Sequence, residues 1–340
     1  MLDEKRIGIL SKKVSRLKQR DEYWEGTSRL GRMWIANDDE PPYRPYVTLI
    51  VCENGAIIST SIVETRPAPA QLYESLLRAM RRPMLGGGRA RRPKVIYLDD
   101  PDYVTALAPQ LAALEVHCEH RRRLPIIQEA SASMETHMNK EEPVPGLVKI
   151  PQVAPPLIGH LFELAADFYR DSPWQWLNDN HPMEIRYPPE NKPRYAVVMG
   201  SGGEVFGLAV YDTLDDLRTM YRDDLSTQQM TSMTTWSVLF FEEATAMSFD
   251  DLDAMIEYGW QVAAEDAYPV FGRSTRSMEM APPGRSDLLW MEGALAAILA
   301  YLPQCKRIRH GRPHTTDIML PVATISGEAQ VSLKIPAFDL

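Results

Sequence analysis

Residues 194–221, RYAVVMGSGGEVFGLAVYDTLDDLRTMY, restrict what this chain can fold into more than any other stretch. Residues 195–199 and 205–211 are rich in Val, Tyr and Phe, side chains that suit a pleated, half-buried or buried surface. Between them Gly200, Gly202 and Gly203 supply the positive φ angles that a tight hairpin needs. Thr213 stands three residues before Asp216, the spacing of a helix N-cap, and Leu214, Leu217 and Tyr221 follow at helical intervals. A glycine-rich phosphate loop would run directly into a helix and end in Gly-Lys-Ser/Thr. Here the glycines lead into another strand, so the stretch predicts a hairpin within an α+β domain.

The 340 residues suffice for two domains, and 44% apolar with 24% charged residues describes a soluble globular chain. No apolar run approaches the roughly 20 residues that span a bilayer, and residues 1–20 lack a signal-peptide core, so the expected location is cytoplasmic. Cys52, Cys118 and Cys305 are odd in number and widely spaced, which suits a reducing compartment. The net charge of −9 is unevenly placed. Residues 1–150 carry 23 Lys and Arg against 20 Asp and Glu, while residues 151–340 carry 14 against 26. Such a split points to domains with different partners, or to halves that attract one another.

Residues 1–20 predict a basic amphipathic helix with Ile7, Leu10, Val14 and Leu17 on one face. Strands are expected over 30–36, 46–52 and 56–64, with Asn54-Gly55 as the turn between the last two. A helix over 69–80 follows, then a strand at 94–98 that ends in Asp99-Asp100. Asp100 caps a helix that has Pro101 in its first turn and runs to 114. A strand at 116–119 and a helix from Pro125 complete the half. This order, βββαβαβα, resembles the ribonuclease H-like fold over residues 29–137, which implies a mixed-sheet α/β domain spanning 21–140.

In that fold two divalent metals, Mg²⁺ or Mn²⁺, are held by carboxylates on the first strand, at the end of the fourth strand and on the final helix. Asp99 or Asp100 matches the second position, and Glu129 or Glu135 the third. The first position fails, because residues 30–36 contain no acid and Asp38-Asp39 lie just beyond. A nuclease would therefore rest on Asp99, Asp100, Glu129 and a displaced Asp38. The bland alternative for Asp99-Asp100 is a strand end followed by a helix cap.

The loop before the fourth strand, RRPMLGGGRARRPK, carries Arg81, Arg82, Arg89, Arg91, Arg92 and Lys94, and Arg121, Arg122 and Arg123 follow the fifth strand. Guanidinium forks on such loops pair well with phosphate oxygens. The opposing reading is a solvated basic surface, or a contact with the protein's own acidic half. No aromatic stacking pattern accompanies the arginines.

Proline-rich residues 141–156 read as a linker. An α+β domain then spans 157–340, with an opening helix, a strand at 183–187, the central hairpin, a strand at 236–242, a helix capped by Ser248, a loop through GWQVAAEDAYPVF, an apolar helix over 287–302 and a C-terminal hairpin. Trp174, Trp176, Trp236, Trp260, Tyr195 and Tyr211 suit its core, or alternatively an aromatic pocket of a small-molecule sensor. The blocks WQWL, YAVVMGSGGEVFGLAVYDTLDDL and EYGWQVAAEDAYP, with YRPYVTLIVCENGAII and LDDP upstream, resemble a bacterial two-domain family of unknown function. The resemblance implies a layout and no catalytic residue.

Cys305, His310 and His314 lie close in sequence, but three candidates fall short of a four-ligand zinc site and the neighbouring arginines oppose a cation. No metal or cofactor is expected outside the nuclease alternative. These observations favour a non-catalytic binding protein whose basic loops contact an anionic partner, nucleic acid or an acidic protein. A metal-dependent nuclease is the competing class.

Overall fold

A computed structural model describes residues 2–37, 40–138, 145–276, 280–306 and 315–338. The chain divides into two compact units, Met1–Glu142 and Pro143–Leu340. Both are mixed α and β, and among the described residues they contain nine α-helices.

The first unit runs α1 (Leu2–Val14), β1 (Tyr23–Leu30), β2 (Ile35–Asn37), β3 (Glu40–Tyr43), β4 (Tyr46–Cys52), β5 (Ile57–Val63), α2 (Pro69–Arg81), β6 (Val95–Leu98), α3 (Pro101–Ala112), β7 (His117–His120) and α4 (Pro125–Met138). Its main sheet has the order β5-β4-β1-β6-β7. β4 is antiparallel to both of its neighbours, while β1, β6 and β7 run parallel. The Asn54-Gly55 turn forms as expected: Gly55 has φ +84°, and Asn54 Oδ1 accepts from the Ala56 amide at 3.0 Å. On one sheet face Trp24, Ile50, Ile58 and Ile96 pack against Leu72, Leu76, Leu77 and Met80 of α2 and Leu107 and Leu111 of α3. Val14 of α1 is buried in the same core, so the N-terminal helix is part of this unit. The opposite face carries Leu49, Val51, Leu124 and Ile127 beneath α4.

The first strand is displaced from its expected place at residues 30–36. β1 lies upstream, over WEGTSR, because its polar residues are satisfied by distant partners. Glu25 accepts from the Ile126 and Ile127 amides, Thr27 bonds to Asp99, and Ser28 accepts from Thr48 Oγ1 at 3.1 Å. A central strand needs burial on both faces, and partnered polar groups tolerate it.

The second unit runs α5 (Pro155–Asp171), β8 (Met183–Arg186), β9 (Arg194–Met199), β10 (Gly207–Tyr211), α6 (Leu214–Thr219), α7 (Thr227–Met233), β11 (Thr235–Glu242), α8 (Phe249–Tyr258), β12 (Tyr268–Thr275), α9 (Arg285–Cys305), β13 (Thr316–Thr324) and β14 (Gly327–Ile335). Its antiparallel sheet has the order β12-β11-β10-β9-β8-β14-β13. The predicted β9–β10 hairpin forms at its centre, and Thr213 Oγ1 accepts from the Asp216 amide at 3.1 Å to cap α6. By length and composition α9 is apolar enough to cross a membrane, but 72% of its most apolar window is buried inside the unit.

Two expectations need correction here. The loop expected around residues 268–271 is strand β12, an edge strand that tolerates Pro269, and a Cβ at Gly272 would stand 2.8 Å from the Met280 side chain. Residues 145–154, expected in a linker, pack on the second unit: Leu147 is buried, and Asp251 accepts from the Leu147 and Val148 amides at 2.8 and 3.1 Å.

Gly207 holds the central hairpin close to β11. It has φ +157°, and a Cβ there would lie 2.0 Å from the Leu239 carbonyl oxygen. Gly207→Ala is expected to lower the urea-unfolding free energy of the second unit by about 2–4 kcal/mol, from backbone displacement and overpacking.

Candidate functional site

Of the carboxylates expected to form a metal centre, Asp99 and Asp100 directly follow the C-terminal end of β6. Alternation along β1 places Glu25, Thr27 and Arg29 on the α4 face. The parallel register that pairs Gly26 with Leu98 brings Thr27 beside Asp99, and Thr27 Oγ1 donates to Asp99 Oδ2 at 2.7 Å. Burial pushes Asp99 above the ordinary aspartate value of 3.8, and the Thr27 hydroxyl partly offsets this. Asp100 is used by the fold: it accepts from the Asp102 amide at 2.9 Å to cap α3, and pairs with Arg66 at 2.5 Å. Glu129 is exposed and lines a depression of about 500 Å³ with Glu53, Asn54 and Gly55. Glu135 stands 3.8 Å from Arg29. Asp38 and Asp39 lie outside the described residues.

Sequence reasoning missed Glu25, the acid of the first strand, because it placed that strand too late. Glu25 is buried, and its Oε2 caps α4 by accepting from the Ile126 and Ile127 amides at 2.9 and 3.0 Å. Its Oε1 has no hydrogen-bond partner among the described residues. No three His, Cys, Asp or Glu side chains among the described residues are grouped so as to hold a metal ion.

The arginine-rich loop divides into inward and outward residues, so the anion contact expected of all its cations does not extend to Arg91 and Arg92. Arg91 is largely buried: it pairs with Glu22 at 2.5 Å, stacks over Trp24 and donates to the Gly87 carbonyl at 2.6 Å. Arg92 is buried, with Nε donating to the Leu17 carbonyl at 3.1 Å and Nη1 to the Leu114 carbonyl. A buried guanidinium needs such acceptors, so these two groups are spent on structure. Lys94 pairs with Asp21 at 3.0 Å, and Arg121 lies over the Tyr97 ring. Arg82, Arg89, Arg122 and Arg123 are exposed, and Arg81 is half-buried.

Arg81 and Arg82 meet cations of α1, the basic amphipathic helix expected over residues 1–20. Lys5, Arg6, Ile9, Leu10 and Lys13 of α1 face Arg78, Arg81 and Arg82 at the end of α2 across a cleft of about 700 Å³. Glu74 takes Arg6 at 3.2 Å and Arg78 at 2.7 Å. Lys5, Lys13, Arg81 and Arg82 form no ion pair among the described residues. The charge follows from a one-sided helix: α1 buries Val14 with Ile7 and Leu10 packed beside it, and so must turn its cations outward. Such a cleft can hold an anion, and its strength against salt depends on how many of these cations an occupant engages.

In the second unit Tyr195 and Tyr211 are buried, while Trp174, Trp176, Trp236 and Trp260 are half-buried. Tyr195 and Tyr211 join one buried cluster with Trp236 packed against it, Trp174 packs on Phe168, Tyr169 and Phe206, and Trp260 on Phe162. None of them lines the cavity of about 200 Å³ between Phe240, Met247, Phe271 and Met280. Cys305 is buried, which pushes its thiol up to about 11, while His310 and His314 lie outside the described residues.

Residues 10–135 match the family model "Domain of unknown function (DUF6930)", and residues 159–318 match "Domain of unknown function (DUF7309)". The chain is thus covered by two domains to which no function is attached. No curated protein matches it. Among solved structures, a chain of the "CryoEM structure of simian T-cell lymphotropic virus intasome in complex with PP2A regulatory subunit B56 gamma" is 12% identical, covers 61% of this chain and 83% of that chain, and has a TM-score of 0.21. A likeness that weak in shape has no bearing on the fold.

Two outcomes are expected. An acid whose folded pKa is raised binds more protons folded than unfolded, so the penalty it imposes grows as pH rises through its window. Asp99→Asn should therefore stabilise the first unit at pH 7, and the difference should close as pH falls towards 3.8 in urea-unfolding series. Arg92→Met should lower the stability of the first unit by about 2–3 kcal/mol, while exposed Arg89→Ala should change it by less than about 0.5 kcal/mol.

Proposed function

We propose that this protein is a non-catalytic binding protein whose first unit is a ribonuclease H-like domain that takes an anionic partner in the α1–α2 cleft. The cleft carries the reading: among the described residues six cations line it, and Glu74 offsets two of them. The strand order β5-β4-β1-β6-β7, with β4 antiparallel and β6 and β7 parallel to β1, supports the ribonuclease H-like reading. The binding reading is favoured over a two-metal nuclease because Asp99, Asp100 and Glu129 serve a hydroxyl, a helix cap and a separate depression. Exposed Arg122 and Arg123 are secondary contacts.

The test is fluorescence anisotropy of labelled single-stranded DNA, double-stranded DNA and polyglutamate, each titrated with the whole protein at several salt concentrations, with and without Mg²⁺ or Mn²⁺. At least one polyanion should bind with an affinity that falls steeply with salt. Lys13→Glu combined with Arg81→Glu should weaken that binding by about tenfold or more, and Arg122→Glu with Arg123→Glu by less. Binding that ignores the cleft substitutions would defeat the reading, and cleavage in the metal-containing tubes would replace it with the nuclease.

A further inference from the structure

The cleft is more than a charged surface, because Ile9 and Leu10 line it among the cations. Ile9, with 49% of its surface exposed, and half-buried Leu10 line the cleft, Ile9 on the same face of α1 as Lys5 and Lys13. Immediately after Arg82 the chain turns into Pro83-Met84-Leu85, where Met84 is 46% exposed and Leu85 is fully exposed. Three residues span at most about 11 Å, so Leu85 stands near the end of the cleft.

This apolar tip is held in place. The Met84 amide donates to the Ile58 carbonyl at 2.9 Å, and the Gly87 amide closes the turn on the Met84 carbonyl at 2.8 Å. Arg91 grips the Gly87 carbonyl from inside. A Cβ at Gly87 would lie 3.0 Å from the Met84 carbonyl oxygen, so the turn is packed as well as hydrogen-bonded. A fixed loop that displays a bare leucine next to a basic cleft leaves apolar area that a partner can cover.

Resting on the reading of the cleft as an anion site, we infer that its occupant is an acidic amphipathic helical segment of a partner protein. Its leucine-like side chains lie on Ile9 and against Leu85, and its carboxylates face Lys5, Lys13, Arg81 and Arg82. The stretch of α1 from Lys5 to Lys13 rises about 12 Å, so roughly two turns of a partner helix lie along it. Helix-in-groove recognition uses this combination of apolar and charged side chains. Phosphates gain nothing from Ile9 or Leu85, and the cleft lining has no aromatic ring among the described residues for bases to stack on. The cleft is also concave, which suits a ridge-shaped helix better than a flat lipid surface.

The experiment compares three probes on the whole protein. They are a synthetic helical peptide with leucines at i, i+3 and i+4 spacing on a glutamate background, a scrambled peptide of the same composition, and single-stranded DNA. The amphipathic peptide should bind about tenfold or more tightly than its scramble. Ile9→Ser and Leu85→Ser, both at exposed positions, should each weaken peptide binding by about fivefold or more and leave DNA binding unchanged. Lys13→Glu with Arg81→Glu should weaken binding of every probe. Equal affinity for the scramble, indifference to Ile9→Ser and Leu85→Ser, or tighter binding of DNA than of the peptide would each overturn the inference. DNA binding that still depends on Lys13 and Arg81 would leave the anion-binding reading standing, whereas no binding of any probe would end both.

Discussion

A guanidinium taken out of water must meet acceptors, and in the first unit that requirement organises the surroundings of Arg92. Its side chain reaches the Leu17 carbonyl just beyond α1 and the Leu114 carbonyl beyond α3, while its backbone bonds to Lys18 and Arg20. Three segments far apart in sequence are thereby fixed around one charged group. The exit of α1 is one of them, so the angle at which α1 lies against α2, and with it the cleft, depends on this contact. Arg91 plays the matching part for the glycine loop, tying Glu22, Trp24 and the Gly87 carbonyl together. Both residues sit in an arginine run whose other members face outward, and the inward pair gives the outward ones a fixed position.

A comparable constraint acts in the second unit. Arg194 on β9, Asp212 beyond β10, Arg273 on β12 and Asp287 on α9 form one charge cluster, in which Arg194 meets Asp287 at 3.0 Å and Arg273 meets Asp212. Ser237 on β11 accepts from Arg273 at 2.8 Å. Asp287 also accepts from the Gly284 amide and so fixes the start of α9. Removing one member of such a cluster leaves another charge uncompensated, which costs more than the intact pairs contribute. The cluster sets how the last helix meets the sheet. Nearby, Glu292 is fully buried in α9 and accepts from His160 and the Ile325 amide, which ties α5 and the β13–β14 turn to the same helix.

What the sequence revealed follows from how local each signal is. The β9–β10 hairpin, the Asn54-Gly55 turn and the Asp100 and Thr213 caps are decided by residues within a few positions of each other, and all were legible. β1 and β12 were not. The Glu25, Thr27 and Ser28 side chains of β1 look unsuited to a buried strand until partners from β4, β6 and α4 are known. Pro269 and Gly272 look like breakers until β12 is seen at an edge against Met280. The candidate site shows the same division. Clustered arginines were visible, but whether a guanidinium meets solvent or a carbonyl is a tertiary fact, and a cleft between α1 and α2 exists only once both helices are packed.

The sheet also separates the two kinds of charge in the first unit. Glu25, Asp99 and Glu135 lie on or beside the α4 face, whereas α1 and α2 pack on the other. The two sets are thus divided by the sheet and a helix layer, more than about 10 Å through the interior. Among the described residues the cleft is lined by six cations, two of which pair with Glu74. The acids meanwhile are held by fold contacts, with Glu25 on the α4 amides, Asp99 on Thr27 and Asp100 on α3. Topology alone does not supply chemistry. In this unit the strand ends use their acids to build the scaffold, and the opposite face is left with cations that line a cleft beside Ile9 and Leu10.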